Sequence, residues 1–217
     1  MLKYSISFCS VIWDQNLAKR HRSDRLCVSE RGVVMQITDK NEFHNKIKRV
    51  IITEEQINKA VEDAGRLISE EYEGKPLLLV SVLKGAFIFL SDLTKRVTIP
   101  CEIGFMAAKS YFEGTESSGN VQITMDLSQD ISKYHVVIVE DIIDTGRTLA
   151  EIVKLLKVRE PKSLKIMTLL DKPDRRIVKI DADWSLFTIP DYFVIGYGLD
   201  YGEYYRNLPY IAEFSAE

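Results

Sequence analysis

The sequence predicts an α/β domain, a mostly parallel twisted sheet flanked by helices. Three runs carry this reading: residues 77–82 (LLLVSV), 136–139 (VVIV) and 164–170 (LKIMTLL). Each is nearly all apolar, as a strand covered on both faces must be. Between them lie stretches whose apolar residues recur at helical spacing, and strands alternating with helices argue for parallel pairing. The chain has 217 residues, 46% hydrophobic and 28% charged, which suits one α/β domain with an appendage. A net charge of −3 argues against a protein built to hold nucleic acid, so a phosphorylated ligand would need a local site. The three cysteines, Cys9, Cys27 and Cys101, form no CxxC pair, and the three histidines stand near no acidic or cysteine cluster. Neither a disulfide framework nor a zinc site is indicated. No apolar run reaches the roughly 20 residues that span a bilayer.

Taken in order, residues 1–45 differ from 46–217. They mix short apolar pieces (4–13) with the basic run Lys19-Arg20-His21-Arg22 and hold no sustained period. A signal peptide is disfavoured by Asp14, the basic run and the lack of a small-residue cleavage site. A basic arm for nucleic acid is a second reading. The preferred one is a poorly ordered extension, or a start placed ahead of the true one at Met35. Order is expected from about Val50. Thr53-Glu54-Glu55-Gln56 reads as a capping box, and Ile57, Ala60, Val61, Ala64, Leu67 and Ile68 follow at helical spacing until Gly74 and Pro76 end the helix.

The first buried strand (77–82) leads into Lys84-Gly85 and an apolar helix, 86–93. Read alone, Lys84-Gly85 is a turn with a solvated lysine, though it lies at the carboxyl end of a strand, where open α/β sheets hold ligands. Strand candidates follow at 101–107 and 121–126, the second alternating apolar and polar. The polar loop between them (109–120, KSYFEGTESSGN) is either a hairpin excursion or a mobile lid, and read alone it favours the plain excursion. The central strand 136–139 is followed by a helix whose apolar face runs from Leu149 to Leu156, then by strand 164–170, Asp171-Lys172-Pro173, a short strand at 193–195, Gly196-Tyr197-Gly198-Leu199-Asp200 and Arg206.

The chemistry centres on residues 136–149, VVIVEDIIDTGRTL. The spacing is neither a Walker A loop nor a dinucleotide fingerprint, since the required glycines are missing. Gly146 lets backbone approach a ligand closely, and the N–H groups of 145–148 open a helix and can converge on one phosphate, with the hydroxyls of Thr145 and Thr148 as further donors. Glu140 and Asp141 stand just upstream, where they can accept from sugar hydroxyls or face Mg²⁺, which prefers oxygen ligands, keeps water and bridges substrate phosphates. A ribose 5-phosphate fits such a place.

This stretch resembles the phosphoribosyl pyrophosphate (PRPP) motif of the type I phosphoribosyltransferases. With ITEEQI, VLKGAFIF, KSYFEGTESSG, LLDKPDRR and FVIGYGLDYGEYYRNLPYI in the same order, residues 49–214 resemble the bacterial hypoxanthine-guanine phosphoribosyltransferases. The resemblance implies their fold, with a small hood formed by the chain ends and a mobile lid loop. It also implies Mg²⁺-dependent purine salvage in the cytoplasm: hypoxanthine or guanine plus PRPP gives IMP or GMP plus pyrophosphate. By position, Asp144 is then the general base at purine N7. Glu140 and Asp141 hold the ribose and neighbour the metal. Thr145, Gly146, Arg147 and Thr148 cradle the 5′-phosphate. Leu83, Lys84 and Gly85, with a cis peptide before the lysine, bind pyrophosphate together with Arg206. Lys172 donates to the purine 6-oxo group, Phe193 stacks on the ring, and the Val194 backbone meets its edge. Asp200 takes part in a second metal site, and Ser110 and Tyr111 head the lid. The resemblance further implies a homodimer or homotetramer, with no nucleic acid or membrane partner.

Two alternatives remain beside this reading: an RNA-binding regulator on the same fold, and a related enzyme preferring xanthine. Asp144 and the negative net charge count against the regulator, which would need a basic face.

Overall fold

The computed structural model describes residues 40–110 and 121–215. Its elements are α1 (Lys40–Asn45), β1 (Ile47–Ile52), α2 (Glu54–Glu71), β2 (Leu77–Leu83), α3 (Phe87–Thr94), β3 (Glu102–Ser110), β4 (Val121–Met125), β5 (His135–Ile143), α4 (Arg147–Lys157), β6 (Ser163–Asp171), β7 (Trp184–Thr188), β8 (Val194–Ile195) and β9 (Ile211–Phe214). The main sheet runs β4-β3-β2-β5-β6-β7 and is parallel except for β4, which returns antiparallel to β3. β1, β9 and β8 form a separate antiparallel sheet, the hood expected of the chain ends.

Side-chain alternation divides the core. Leu77 and Leu79 of β2 and Val137 and Val139 of β5 face α2 and α3, joining Ile57, Val61, Ile68, Phe89 and Leu93. Their neighbours Leu78, Val80, Val136 and Ile138 point the other way, onto Leu149, Ile152 and Leu156 of α4. Both strands are therefore buried on both faces, which is why they read as unbroken apolar runs. Each fully buried Leu or Ile of α4 contributes roughly 1.5–3 kcal/mol, enough to fix that helix behind the strand it follows. α2 starts where expected: the Thr53 hydroxyl accepts from the Gln56 N–H, and the Gln56 side chain accepts from the Thr53 N–H.

Besides β7 and β9, which lie where the sequence reading placed no strand, four details differ. The central strand does not stop at Val139 but runs to Ile143, since Ile142 and Ile143 pair with Leu170 and Asp171. Phe193 precedes β8 rather than opening it, and that strand belongs to the hood, not to the main sheet. Leu67 lies off the buried stripe of α2 and is exposed, the stripe being completed by Gly65 and Ser69. Ordered chain also precedes Val50: Phe43 of α1 stacks on Tyr205, with ring centroids 4.4 Å apart, and β1 pairs with β9.

Candidate functional site

The carboxyl ends of β2, β5 and β6 meet at one edge of the main sheet, where backbone leaving one strand can face side chains from the next. Between β2 and β5 lies a hollow of about 240 Å³ lined by Leu83, Gly85, Glu140, Asp141 and the loop from Asp144 to Thr148. All seven residues expected to hold ribose and phosphate line this hollow: two from β5, three from the loop after it and two from the first turn of α4.

The two acids sit on β5 itself. The Ile142 N–H donates to Asp141 Oδ1 at 2.8 Å, whereas Glu140 Oε2 is shut off from solvent with no hydrogen-bond partner. Burial pushes the Glu140 carboxyl well above the ordinary carboxylate range, and the neighbouring Asp141 charge adds to this. Burial also pushes Asp141 up, to about 6, against the pull of the Ile142 N–H and the Arg206 guanidinium. An apolar pocket would not be built this way. A buried orphan carboxylate oxygen beside a second strained carboxylate is a place for cations or hydroxyl donors.

Beyond the acids, Gly146 takes φ +80 at the start of α4, and its carbonyl accepts the Ala150 N–H at 2.9 Å. A side chain there would also meet Ile180 Cγ2 at 2.5 Å, so glycine is required both by conformation and by space. Residues 144–148, which lead into the first turn of α4, line the hollow, and a helix N-terminus favours an anion beside it.

Two further glycines draw the surrounding loops together. A Cβ on Gly85 would lie 1.5 Å from Asp141 Oδ2, and one on Gly198 would lie 2.0 Å from the Gly85 carbonyl oxygen. The Lys84–Gly85 turn is thus pressed between the acid pair and the loop that carries Asp200 and Arg206. The Leu83–Lys84 peptide is cis, as the resemblance implied. Lys84 Nζ stands 2.9 Å from Glu203 Oε2. Arg206 Nη2 lies 2.8 Å from Asp200 Oδ1 and 3.3 Å from Glu203 Oε2, and its Nη1 donates to the Gly198 carbonyl at 2.7 Å. Arg206 Nε is buried without a partner, a donor left over for an anion.

On the other side of Asp144 a chain of alternating charges crosses the lip of the site. Arg175 Nε donates to Asp144 Oδ1 at 3.1 Å, and Arg175 Nη1 reaches Asp191 Oδ2 at 3.5 Å. The other oxygen of Asp191 lies 3.7 Å from Lys172 Nζ. Lys172 is buried, and its ammonium donates to the Tyr192 carbonyl. Arg176 braces the loop from beneath, bonded to Asp171 and, at 2.8 Å, to the Asp144 carbonyl. Phe193 is 52% exposed, with Tyr201 and Phe214 at its edge, and Val194 is buried in β8.

The structure therefore gathers Leu83, Gly85, Glu140, Asp141 and residues 144–148 around one hollow, places Lys84 and Arg206 on a neighbouring hollow with Asp200 paired to Arg206, and ties Lys172 to Asp144 through two side chains. Ser110 ends β3 in register with Val121, while Tyr111 lies outside the described residues. Glu203, Arg175 and Asp191 were missed as functional candidates. Their signal was a charge three residues from an expected site residue, Glu203 before Arg206 and Arg175 after Lys172. Among the described residues no group of three or more His, Cys, Asp or Glu side chains is arranged as a metal cage.

The Phosphoribosyl transferase domain family matches residues 51–202, and the chain belongs to that family. The hypoxanthine-guanine phosphoribosyltransferase of Staphylococcus aureus is 49% identical over 175 residues, covering 81% of this chain and 98% of that protein. The bifunctional protein TilS/HprT of Listeria monocytogenes is 43% identical over 211 residues, covering 95% of this chain, a match that reaches well into residues 1–45. It covers 33% of that protein, so the chain spans about a third of the length of the Listeria relatives. The crystal structure of a hypoxanthine phosphoribosyltransferase from Staphylococcus aureus superposes with a TM-score of 0.78 at 48% identity, covering 81% of this chain and 96% of that one. A hypoxanthine-guanine phosphoribosyltransferase from Bacillus anthracis does so with a TM-score of 0.73 at 39% identity, covering 78% and 99%.

Proposed function

We propose that the chain is a purine-salvage enzyme of the cytoplasm that transfers the 5-phosphoribosyl group of PRPP to N9 of hypoxanthine or guanine. The products are IMP or GMP and pyrophosphate. The observation that carries this is the linkage of Lys172 to Asp144 at the lip of a phosphate-sized hollow. A donor suited to a 6-oxo group and a carboxylate suited to an imidazole nitrogen follow directly on the ends of the paired strands β6 and β5.

In this reading the first turn of α4 takes the 5′-phosphate and Glu140 and Asp141 take the ribose hydroxyls. The bond from C1′ to the pyrophosphate oxygen breaks as N9 bonds to C1′. Lys84, Gly85 and Arg206 receive the charge that grows on the leaving pyrophosphate. Asp144 accepts the proton from N7, a role that contributes about 10²–10⁴-fold in comparable sites. The carboxylates favour the positive charge that develops on the ribose. Lys172 faces an acceptor at position 6 and would face a second donor if the base were adenine, which is how the pocket rejects it. The Glu140–Asp141 pair suits Mg²⁺, because two adjacent carboxylates, one with an orphan oxygen, suit an ion that completes its shell with water and substrate phosphates. When bound, Mg²⁺ would supply charge neutralisation at the pyrophosphate.

Self-association belongs to the same proposal. Phe87, Ile103, Phe105 and Met125 are each 39–46% exposed around a hollow of about 1000 Å³ adjoining Lys84 and Arg206. So large an apolar exposure supports contact with a second copy there, as dimer or tetramer, and mass in solution would test it.

The activity is tested by supplying PRPP and Mg²⁺ with hypoxanthine, guanine, xanthine or adenine. Hypoxanthine and guanine should be converted to their monophosphates. Efficient turnover of adenine would refute the role given to Lys172, and no turnover of any base would refute the assignment.

A further inference from the structure

We infer that Glu203 is a tethered anion that occupies the pyrophosphate site of the empty protein, competing with the leaving-group end of the substrate and helping to expel pyrophosphate. The inference rests on the reading of Lys84 and Arg206 as pyrophosphate ligands. One carboxylate oxygen of Glu203 reaches both cations, 2.9 Å from Lys84 Nζ and 3.3 Å from Arg206 Nη2. A pyrophosphate needs the same two groups, and two anions cannot share them without mutual repulsion.

The backbone gives an independent reason to assign Glu203 this role. Tyr201 and Tyr204 exchange two N–H···O bonds of 3.2 Å across a two-residue turn formed by Gly202 and Glu203. Both central residues have positive φ, +59 and +72, the mark of a turn in which the second position ordinarily takes glycine. Glutamate there costs conformational strain. Its ion pair does little to offset that, because Lys84 and Glu203 are 66% and 64% exposed and such pairs stabilise weakly. Stability alone therefore does not account for the side chain, whereas a carboxylate aimed at two substrate-binding cations does. The turn is also tied to Asp200, whose Oδ2 accepts the Glu203 N–H at 2.9 Å while Oδ1 pairs with Arg206. Displacing the Glu203 carboxylate removes one of the two acids on Arg206 Nη2 and leaves the Asp200 pair in place.

The test compares the full chain with Glu203→Gln, which keeps the shape and loses the charge, and Glu203→Gly, which suits the turn. Calorimetric titration with inorganic pyrophosphate and Mg²⁺ should show both variants binding roughly two- to five-fold more tightly, the scale of losing an exposed competing ion pair. KM for PRPP should fall by a similar factor, KM for hypoxanthine should not move, and kcat should fall if pyrophosphate release limits it. Glu203→Asp should return toward wild type. Unchanged or weaker pyrophosphate binding in both variants would overturn the inference, because Glu203 would then be inert or a helper that positions the cations. The titration needs no turnover, so a wild type that binds pyrophosphate but converts no purine would refute the activity while leaving this comparison decisive.

Discussion

Replacing Asp141 by Asn is expected to stabilise the ligand-free protein at neutral pH while abolishing most of its activity. Burial pushes the Asp141 carboxyl from 3.8 up to about 6. One pKa unit corresponds to about 1.4 kcal/mol, so the penalty for ionising it in the fold is at most about 3 kcal/mol. Asp141 keeps part of its surface open to the hollow, and solvent there reduces the figure to about 1–2 kcal/mol. The unfolded chain gives up this proton near pH 4 and the folded one near pH 6. The folded state therefore loses stability as pH rises through that window and carries the full penalty above it. Asn has no proton to lose, and its Oδ1 can still accept the Ile142 N–H. The variant's advantage over wild type should thus grow between pH 4.5 and pH 7.5 by about 2–8 °C in Tm, at about 2–4 °C per kcal/mol for a chain of this size. Thermal unfolding followed by circular dichroism in EDTA measures it. Mg²⁺ with PRPP should narrow the gap by favouring the charged carboxylate of the wild type. A gap that stays constant or shrinks with pH would refute the argument that the site holds this carboxylate at a cost.

Three other outcomes follow from the same geometry. Gly85→Ala puts a methyl group 1.5 Å from Asp141 Oδ2, so it should lower stability by about 1–3 kcal/mol and raise KM for PRPP at least ten-fold; wild-type kinetics would show that the two segments are not in contact. Asp144→Asn should lower kcat by about 10²-fold or more while PRPP affinity, read by titration, stays within a few-fold, and near-normal turnover would remove it as the base. Lys172→Gln should raise KM for hypoxanthine and guanine and relax the exclusion of adenine, because Gln can turn an acceptor toward a 6-amino group; unchanged discrimination would place the selection elsewhere.

How much of this could be read from the sequence depends on how local each signal is. β2, β5 and β6 are buried on both faces, so composition alone marked them. β1 (IKRVII) and β9 (IAEF) carry charge or are very short, and β1 finds its partner only in β9, far away in sequence; no local pattern records that pairing. At the site, the motif residues could be named because their types and spacing are distinctive. Glu203 and Arg175 left only a weak signal, a charge three residues from an expected site residue, which gains meaning once the partner across the fold is known. The glycines fell between these cases. Gly146 was legible as a point of close approach, but the contacts of Gly85 with Asp141 and of Gly198 with Gly85 exist only between segments far apart in sequence.

Those two glycine contacts also bear on why the substrate and a divalent cation should arrive together. Gly198 presses on the Gly85 carbonyl and Gly85 on Asp141, so the loop bearing Arg206, the Lys84 turn and the acid pair cannot shift independently. The Arg206 guanidinium holds the Asp141 carboxyl down, while the Asp200 charge pushes it up. If pyrophosphate recruits Arg206 as proposed, Asp141 would share that cation with a polyanion while Asp200 and Glu203 keep negative charge nearby. Left uncompensated, that would drive the acid pair toward protonation and forfeit its attraction for the developing ribose cation. A divalent cation bound with the pyrophosphate would cancel the added charge. The affinity of this chain for PRPP should therefore depend on Mg²⁺ more steeply in wild type than in Asp141→Asn. Equal Mg²⁺ dependence in the two proteins would mean that Asp141 does not feel the leaving group at all.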